Sequence, residues 1–182
     1  VRNQVANIFL TIPDDEMYGE VLQVILDAME SKHGVFGYIR EDGAMVVPSL
    51  TRDIWDKCRV PGKDIVFPRE TWGGIWGRAL VEKKTFYSNK DFRVPKGHIP
   101  VHRAMATPII YQGELIGYFT IGNSTRDYDD KDKELLETIA NYIAPILNAR
   151  LERDKKEKER KRAEEALERA KTELEIKVSE RT

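Results

Sequence analysis

The chain reads as an α+β fold: an antiparallel sheet with helices packed on one face, followed by a long C-terminal coiled-coil helix. Three observations predict it. The patterns run helix, helix, strand, strand, irregular stretch with a helix, short strand, hairpin and long helix, the order of an antiparallel sheet with helices laid against it. Residues 103–111 and 114–123 are apolar runs joined by Gln112-Gly113, and a two-residue loop ending in Gly suits a mirror-image hairpin turn. From residue 129 to the end the helical period does not break, but its apolar content does.

Val1, Val5, Ile8 and Phe9 predict a first helix, stopped by Pro13. Asp14 or Asp15 should cap a second helix, whose stripe of Met17, Val21, Ile25 and Met29 reaches Ser31 before His33-Gly34 closes it. Residues 35–40 read as a strand, Glu41-Asp42-Gly43 as a tight turn and residues 44–50 as the antiparallel partner. Residues 51–68 are irregular. A helix is expected over residues 70–82, entered through Thr71 and carrying Trp72, Ile75, Trp76, Ala79 and Leu80. Residues 86–88 form a short strand and 89–100 a loop.

In the second hairpin strand Leu115, Gly117, Phe119 and Ile121 alternate with Ile116, Tyr118, Thr120 and Gly122. Neither set is charged, so the strand is expected to be central and covered on both sides. One cover is helical and the other is loops, and a pocket between sheet and loops follows from that layering.

The last helix has two parts. Leu135, Ile139, Tyr142, Ile143, Ile146 and Leu147 make a stripe for packing on a domain. Beyond Leu151 comes RDKKEKERKR, then Ala163, Leu167, Ala170 and Leu174 at steps of four, three and four, a coiled-coil seam. Residues 1–151 are therefore assigned to a globular domain and 152–182 to a linker helix that carries an output. Pro145 should kink the helix near Asn141.

Composition narrows the function. Thirty Lys and Arg against 31 Asp and Glu leave a net charge of −1, not the basic footprint of a nucleic-acid binder. Cys58 is the only cysteine, so neither an intrachain disulfide nor a cysteine-held metal cluster can form. No apolar run approaches the roughly 18 residues of a membrane span, and no signal peptide is visible. The chain reads as cytoplasmic. Its abrupt start and end read as those of a fragment.

Residues 95–151 carry a resemblance. A Pro-x-Gly-His-x-Pro loop at 95–100, Ala-Thr-Pro-Ile at 106–109, Leu-Ile-Gly at 115–117, then Asn123, Tyr128 and a helix ending Asn-Ala-Arg-Leu together resemble the second half of GAF domains, small-molecule sensor modules. The first half agrees in element order. Residues 174–182 resemble the segment that precedes the dimerisation helices of sensor histidine kinases, including archaeal multidomain ones. The resemblance implies a small-molecule ligand on the loop-covered face of the sheet. It also implies a parallel homodimer through the N- and C-terminal helices and a downstream kinase domain. Cyclic-nucleotide members differ at three of five marker positions, where this chain has Asn123-Ser124, Tyr128 and Asp132-Lys133. The cysteine of bilin-binding members is usually followed by His, whereas Cys58 is followed by Arg59. Methionine-sulfoxide-reducing members end their chemistry in a disulfide, which one cysteine does not provide.

The candidate site residues are Cys58, His98, His102, Trp72, Trp76, Tyr118 and Met105. Both histidines fall at the expected mouth of the pocket. Imidazole and thiolate are both iron ligands, and some GAF sensors hold haem, so His98 or His102 with Cys58 and aromatic walls makes a haem-based sensor one reading. The plainer one puts His98 in a structural turn, His102 at the surface and Cys58 as an inert thiol. If exposed, Cys58 is a redox-sensitive site activated by Lys57 and Arg59. Trp72 and Trp76, four apart, are expected on one helix face, with Gly73-Gly74 leaving room for a ligand and with Tyr118 and Met105 lining the same cavity. Lys63, Asp64 and Arg69 make no catalytic arrangement, and no nucleophile with a paired acid and base is visible. Three readings follow: a ligand or redox sensor that signals through a dimeric helix, a haem sensor, and a structural dimerisation spacer.

Overall fold

The computed structural model describes residues 1–49, 52–62 and 64–179, without the side chains of Asp14, Asp15 and residues 52–54. The expected caps Asp14 and Asp15, strand residue Leu50, Thr51, Lys63 and the last three residues therefore lie outside the description. Helices α1 (Arg2–Thr11) and α2 (Asp14–Ala28) open the chain. Val5 and Phe9, four apart, are buried on α1, and Met17, Val21, Leu22, Ile25 and Leu26 on α2.

Helix α2 ends earlier than the His33-Gly34 signal predicts. Glu30 turns the chain with a left-handed φ of 50°, and strand β1 (Ser31–Ile39) has begun before His33 is reached. After the turn at Asp42-Gly43, β2 is only Met45–Val46. The stretch expected to be irregular contains helix α3 (Arg52–Lys57) and strand β3 (Val66–Phe67).

A 3-10 turn at Arg69–Thr71 precedes α4 (Gly74–Glu82), so the expected helix starts four residues late. Trp72 and Gly73 are extended and lie outside it. Strands β4 (Phe86–Ser88), β5 (Ala104–Tyr111) and β6 (Glu114–Ser124) complete one six-stranded sheet in the order β3-β2-β1-β6-β5-β4, every pair antiparallel. As expected, β6 lies inside the sheet, and the β5–β6 turn has positive φ at both Gln112 (49°) and Gly113 (84°).

Register divides the side chains between two faces. Phe36 pairs with Phe119, Thr107 with Phe119 and Met105 with Ile121, so these residues share one face. There Phe36 stacks with Phe119 at 4.6 Å and with Tyr18 of α2 at 4.8 Å, and Phe9 of α1 meets it edge-on at 6.5 Å. On the other face Tyr118, Met45, Val47 and Leu80 of α4 form a second cluster, with Val35, Ile39, Trp72 and Trp76 packed against it.

Helix α5 (Asp130–Ser179) is one helical element of 50 residues, with Pro145 inside it. Its start is a reciprocal cap. Asp132 N–H donates to Asp129 Oδ1 and Asp129 N–H to Asp132 Oδ2, each at 3.0 Å. Arg126 donates two bonds of 2.7 Å to the Asp132 carboxylate. Leu136, Ile139, Ala140, Ile143 and Ala144 are buried, whereas Leu135, placed on the stripe by its spacing, is 39% exposed.

The chain divides into two compact units, Val1–Ile146 and Leu147–Thr182. In the second, Leu167 (71% exposed), Leu174 (64%) and Val178 (59%) leave an apolar stripe open to solvent. Ion pairs Arg160–Glu157 (2.8 Å), Arg169–Glu165 (3.6 Å) and Arg160–Glu164 stand one turn apart along it. Among the described residues no helix is long and apolar enough to cross a membrane.

Candidate functional site

The loop-covered face of the sheet has a filled end and an open end. At the filled end Tyr118 is 3% exposed within the cluster of Met45, Val47 and Leu80. Burial raises its phenol far above the usual tyrosine range, so it stays neutral. Trp72 Nε1 donates to the Phe67 carbonyl at 3.2 Å, and Trp76 meets the Phe67 ring edge-on at 6.2 Å. Trp72 and Trp76 thus join one cluster with Tyr118, although Trp72 is not on the helix that carries Trp76. Met105 does not belong with them. Its register with Ile121 puts it on the opposite face, fully buried.

At the open end is a cavity of about 370 Å³, bounded by Lys32 and His33 of β1, Lys57 of α3, His102, Arg103 and Asn123. Its charged lining is entirely basic. Arg103 Nε donates to Asp127 at 2.7 Å, and His102 Nδ1 to Asp91 at 2.7 Å. The wall stands because Asn123 ties it. Asn123 accepts the His102 N–H at Oδ1 and donates from Nδ2 to the Pro100 carbonyl, both at 2.9 Å, with φ at 55°. Asn tolerates that left-handed backbone better than most side chains, a sequence signal for its role beside its place in the family resemblance. Sequence reasoning reached His102, took Lys57 only as a neighbour of Cys58, and passed over Lys32 and Arg103; the three basic residues Lys32, Lys57 and Arg103 come from separate segments.

Cys58 and His98 stand on two segments that are pinned together. Arg59 N–H donates to the Gly97 carbonyl at 2.7 Å, and a Cβ on Gly97 would stand 2.6 Å from the Arg59 oxygen. His98 closes a turn through its N–H to Pro95 (3.0 Å), and its Nδ1 donates to the Ile99 carbonyl at 2.7 Å. Cys58 is half-buried. One further group faces the loops. Thr120, on the Tyr118 face, has a buried hydroxyl without a hydrogen-bond partner.

These residues do not make a haem slot. The rings needed as porphyrin walls, Trp72 and Trp76, are packed in the filled cluster, whereas His102 lines the basic cavity at the other end and its side chain is 58% exposed. Among the described residues no group of three or more His, Cys, Asp or Glu side chains is placed to hold a metal ion.

The GAF domain family model matches residues 13–148. The chain belongs to the GAF domain family. This is a family of regulatory sensor domains, and its fold is the one described above. No curated protein sequence matches the chain. Among solved structures, the GAF domain of a phosphoenolpyruvate-protein phosphotransferase from Coxiella burnetii aligns with a TM-score of 0.64 at 18% identity, over 83% of this chain and 93% of that one. Residues 122 to 287 of a methyl-accepting chemotaxis protein align at 0.60 and 14%, over 80% and 94%. Free methionine-R-sulfoxide reductase from Neisseria meningitidis aligns at 0.57 and 15%, over 81% and 88%. At such identities the likeness is one of fold, and a GAF domain's ligand is read from its own site.

Proposed function

We propose that this GAF domain is the small-molecule-sensing module of a two-component sensor histidine kinase. It binds its ligand in the cavity bounded by Lys57, His102 and Asn123, performs no chemistry of its own, and relays occupancy as a parallel homodimer. The observation that carries the reading is the 370 Å³ cavity on the loop-covered face, a volume suited to a small molecule. Thr120 adds an unsatisfied hydroxyl on the same face. The kinase context rests on the resemblance of residues 174–182 to the segment before kinase dimerisation helices.

The occupant of the open stripe is a second copy of this chain. Leu167, Ala170 and Leu174 repeat at coiled-coil spacing, and Val178 follows four residues on, a stutter that a parallel pair accommodates by local unwinding. Exposed Leu10 of α1 (83%) supplies an N-terminal contact of the same kind. Ligand shifts the dimer only by the difference in its affinity for the two arrangements, and about 3 kcal/mol moves that equilibrium about 150-fold.

Light scattering on the intact chain and native mass spectrometry of protein from its source test the two halves separately. A dimer that retains a small molecule at the cavity supports the reading. A monomer at high concentration removes the relay, and protein that neither retains nor takes up a ligand removes the sensor. A second reading, a dimerisation spacer, is favoured by the filled Tyr118–Trp72 end of the face. A dimer whose unfolding no ligand alters would select it.

A further inference from the structure

A second cleft, of about 330 Å³, opens where β5 meets the first turns of α5. Register explains why it exists. Strand β4 begins with Phe86 opposite Ala106, so β5 beyond Ala106 has no strand on that edge, and Pro108 brings no N–H to it. The chain between α4 and β4 supplies Lys83 and Lys84, and α5 supplies Lys133, Glu137 and Asn141. Three lysines and one glutamate thus line it, and Lys83 is already engaged, donating to the Gly113 carbonyl at 2.5 Å.

The lining also includes a buried polar group whose hydrogen-bonding capacity is unused. Thr107 is 1% exposed, lines the cleft, and its hydroxyl has no hydrogen-bond partner. Its register with Phe119 turns it to the face away from Tyr118, so it takes no part in the loop-side cavity. A hydroxyl buried without a partner costs about 1–3 kcal/mol. A threonine kept there beside lysines fits a donor reserved for a bound acceptor.

We propose that this cleft is a second ligand site, one that takes a small oxyanion, a phosphate or carboxylate group, with the Thr107 hydroxyl donating to it and Lys84 and Lys133 supplying charge. Lys133 and Glu137 belong to the opening turns of α5, so the site acts on the helix that carries the open stripe without passing through the loop-side cavity. It shares no residue with that cavity, and the two readings stand or fall independently.

The test uses the intact chain, titrated with inorganic phosphate and, separately, with succinate, against sodium chloride at matched ionic strength. Calorimetry and thermal unfolding are the readouts. A saturable response to one anion supports the site and tells which oxyanion it prefers. Lys84→Gln and Lys133→Gln should each weaken binding about five-fold, and Glu137→Gln should tighten it. Thr107→Val should raise the melting temperature without ligand and remove most of the anion response. Absence of saturation with both anions overturns the proposal, as does a response unchanged in the Lys84→Gln/Lys133→Gln double variant. The lysine variants alter exposed or half-exposed positions, so they keep the test decisive even if Thr107→Val fails to fold.

Discussion

The ring of Tyr118 lies across Gly37. A Cβ on Gly37 would stand 2.8 Å from Tyr118 Cε1 and 2.4 Å from the Val46 carbonyl oxygen. The closed end of the loop-covered face thus depends on a residue without a side chain in β1, because the central strand's aromatic needs that space. Gly37→Ala should push the ring and β2 apart and destabilise the fold by about 1–3 kcal/mol, read as a lower denaturation midpoint in urea. An unchanged midpoint would mean that β2 yields without loss.

Asn123 holds the rim of the cavity through two side-chain bonds made from a left-handed backbone. Asn123→Gly keeps that backbone accessible and removes both bonds. Amide exchange at His102 should then accelerate, with a stability loss of about 1–2 kcal/mol. Asn123→Ala should cost more, since it adds backbone strain. If His102 stays as protected as before, the rim is held by other contacts.

The entry to α5 makes the fold acid-sensitive. Arg126 and the Asp129 N–H hold the Asp132 carboxylate below its ordinary range, the Arg126 bonds contributing most. A carboxyl lowered in the folded state stabilises it above its unfolded value, near 4, and that contribution is lost as pH falls through the lower folded value. Arg126 is 45% exposed, so solvent screens the pair and keeps its contribution modest. Asp132→Asn should lower stability at pH 7 and flatten its fall as the pH drops below the ordinary carboxylate range. Parallel acid limbs in the two proteins would put the sensitivity elsewhere.

The β5–β6 turn carries a residue that suits it poorly. Gln112 sits at φ 49° where Asn is preferred. Gln112→Asn should stabilise the hairpin by about 0.5 kcal/mol, seen as a rise in melting temperature with the fold unchanged.

For the open stripe, Leu167→Lys with Leu174→Lys should convert the expected dimer to monomer in light scattering while the circular dichroism of the globular unit persists. Self-association unaffected by both changes would place it on another surface.

Much of this architecture was legible because its signals are local. Gln112-Gly113 marked the hairpin, and the two uncharged sets of β6 marked an inner strand. The misreadings have physical origins. In sequence Gly34 reads as a helix stop, but it is glycine because a Cβ there would stand 2.9 Å from the Thr120 carbonyl oxygen and 3.0 Å from Leu26 Cδ2. A demand imposed by tertiary packing looks, in sequence, like a demand of local backbone. Gly73-Gly74 is the converse: nothing would meet a Cβ at either, and Gly74 takes φ 60° at the start of α4, a local backbone demand that leaves Trp72 outside the helix. Leu135 and Leu136 are adjacent, and periodicity chose the wrong one. The basic cavity was hidden because Lys32, Lys57 and Arg103 come from three segments, and the Thr107 cleft because only register shows where β4 begins along β5.

The two outermost strands of the sheet, β3 and β4, hold two and three residues. The outermost strands thus offer a neighbouring chain only two or three residues to pair with, and where β5 runs on beyond β4 its edge includes Pro108, which has no N–H to give, so edge-to-edge growth into fibres is discouraged. The dimer proposed above would then be held by side chains on helices and not by backbone pairing, and single substitutions could tune it.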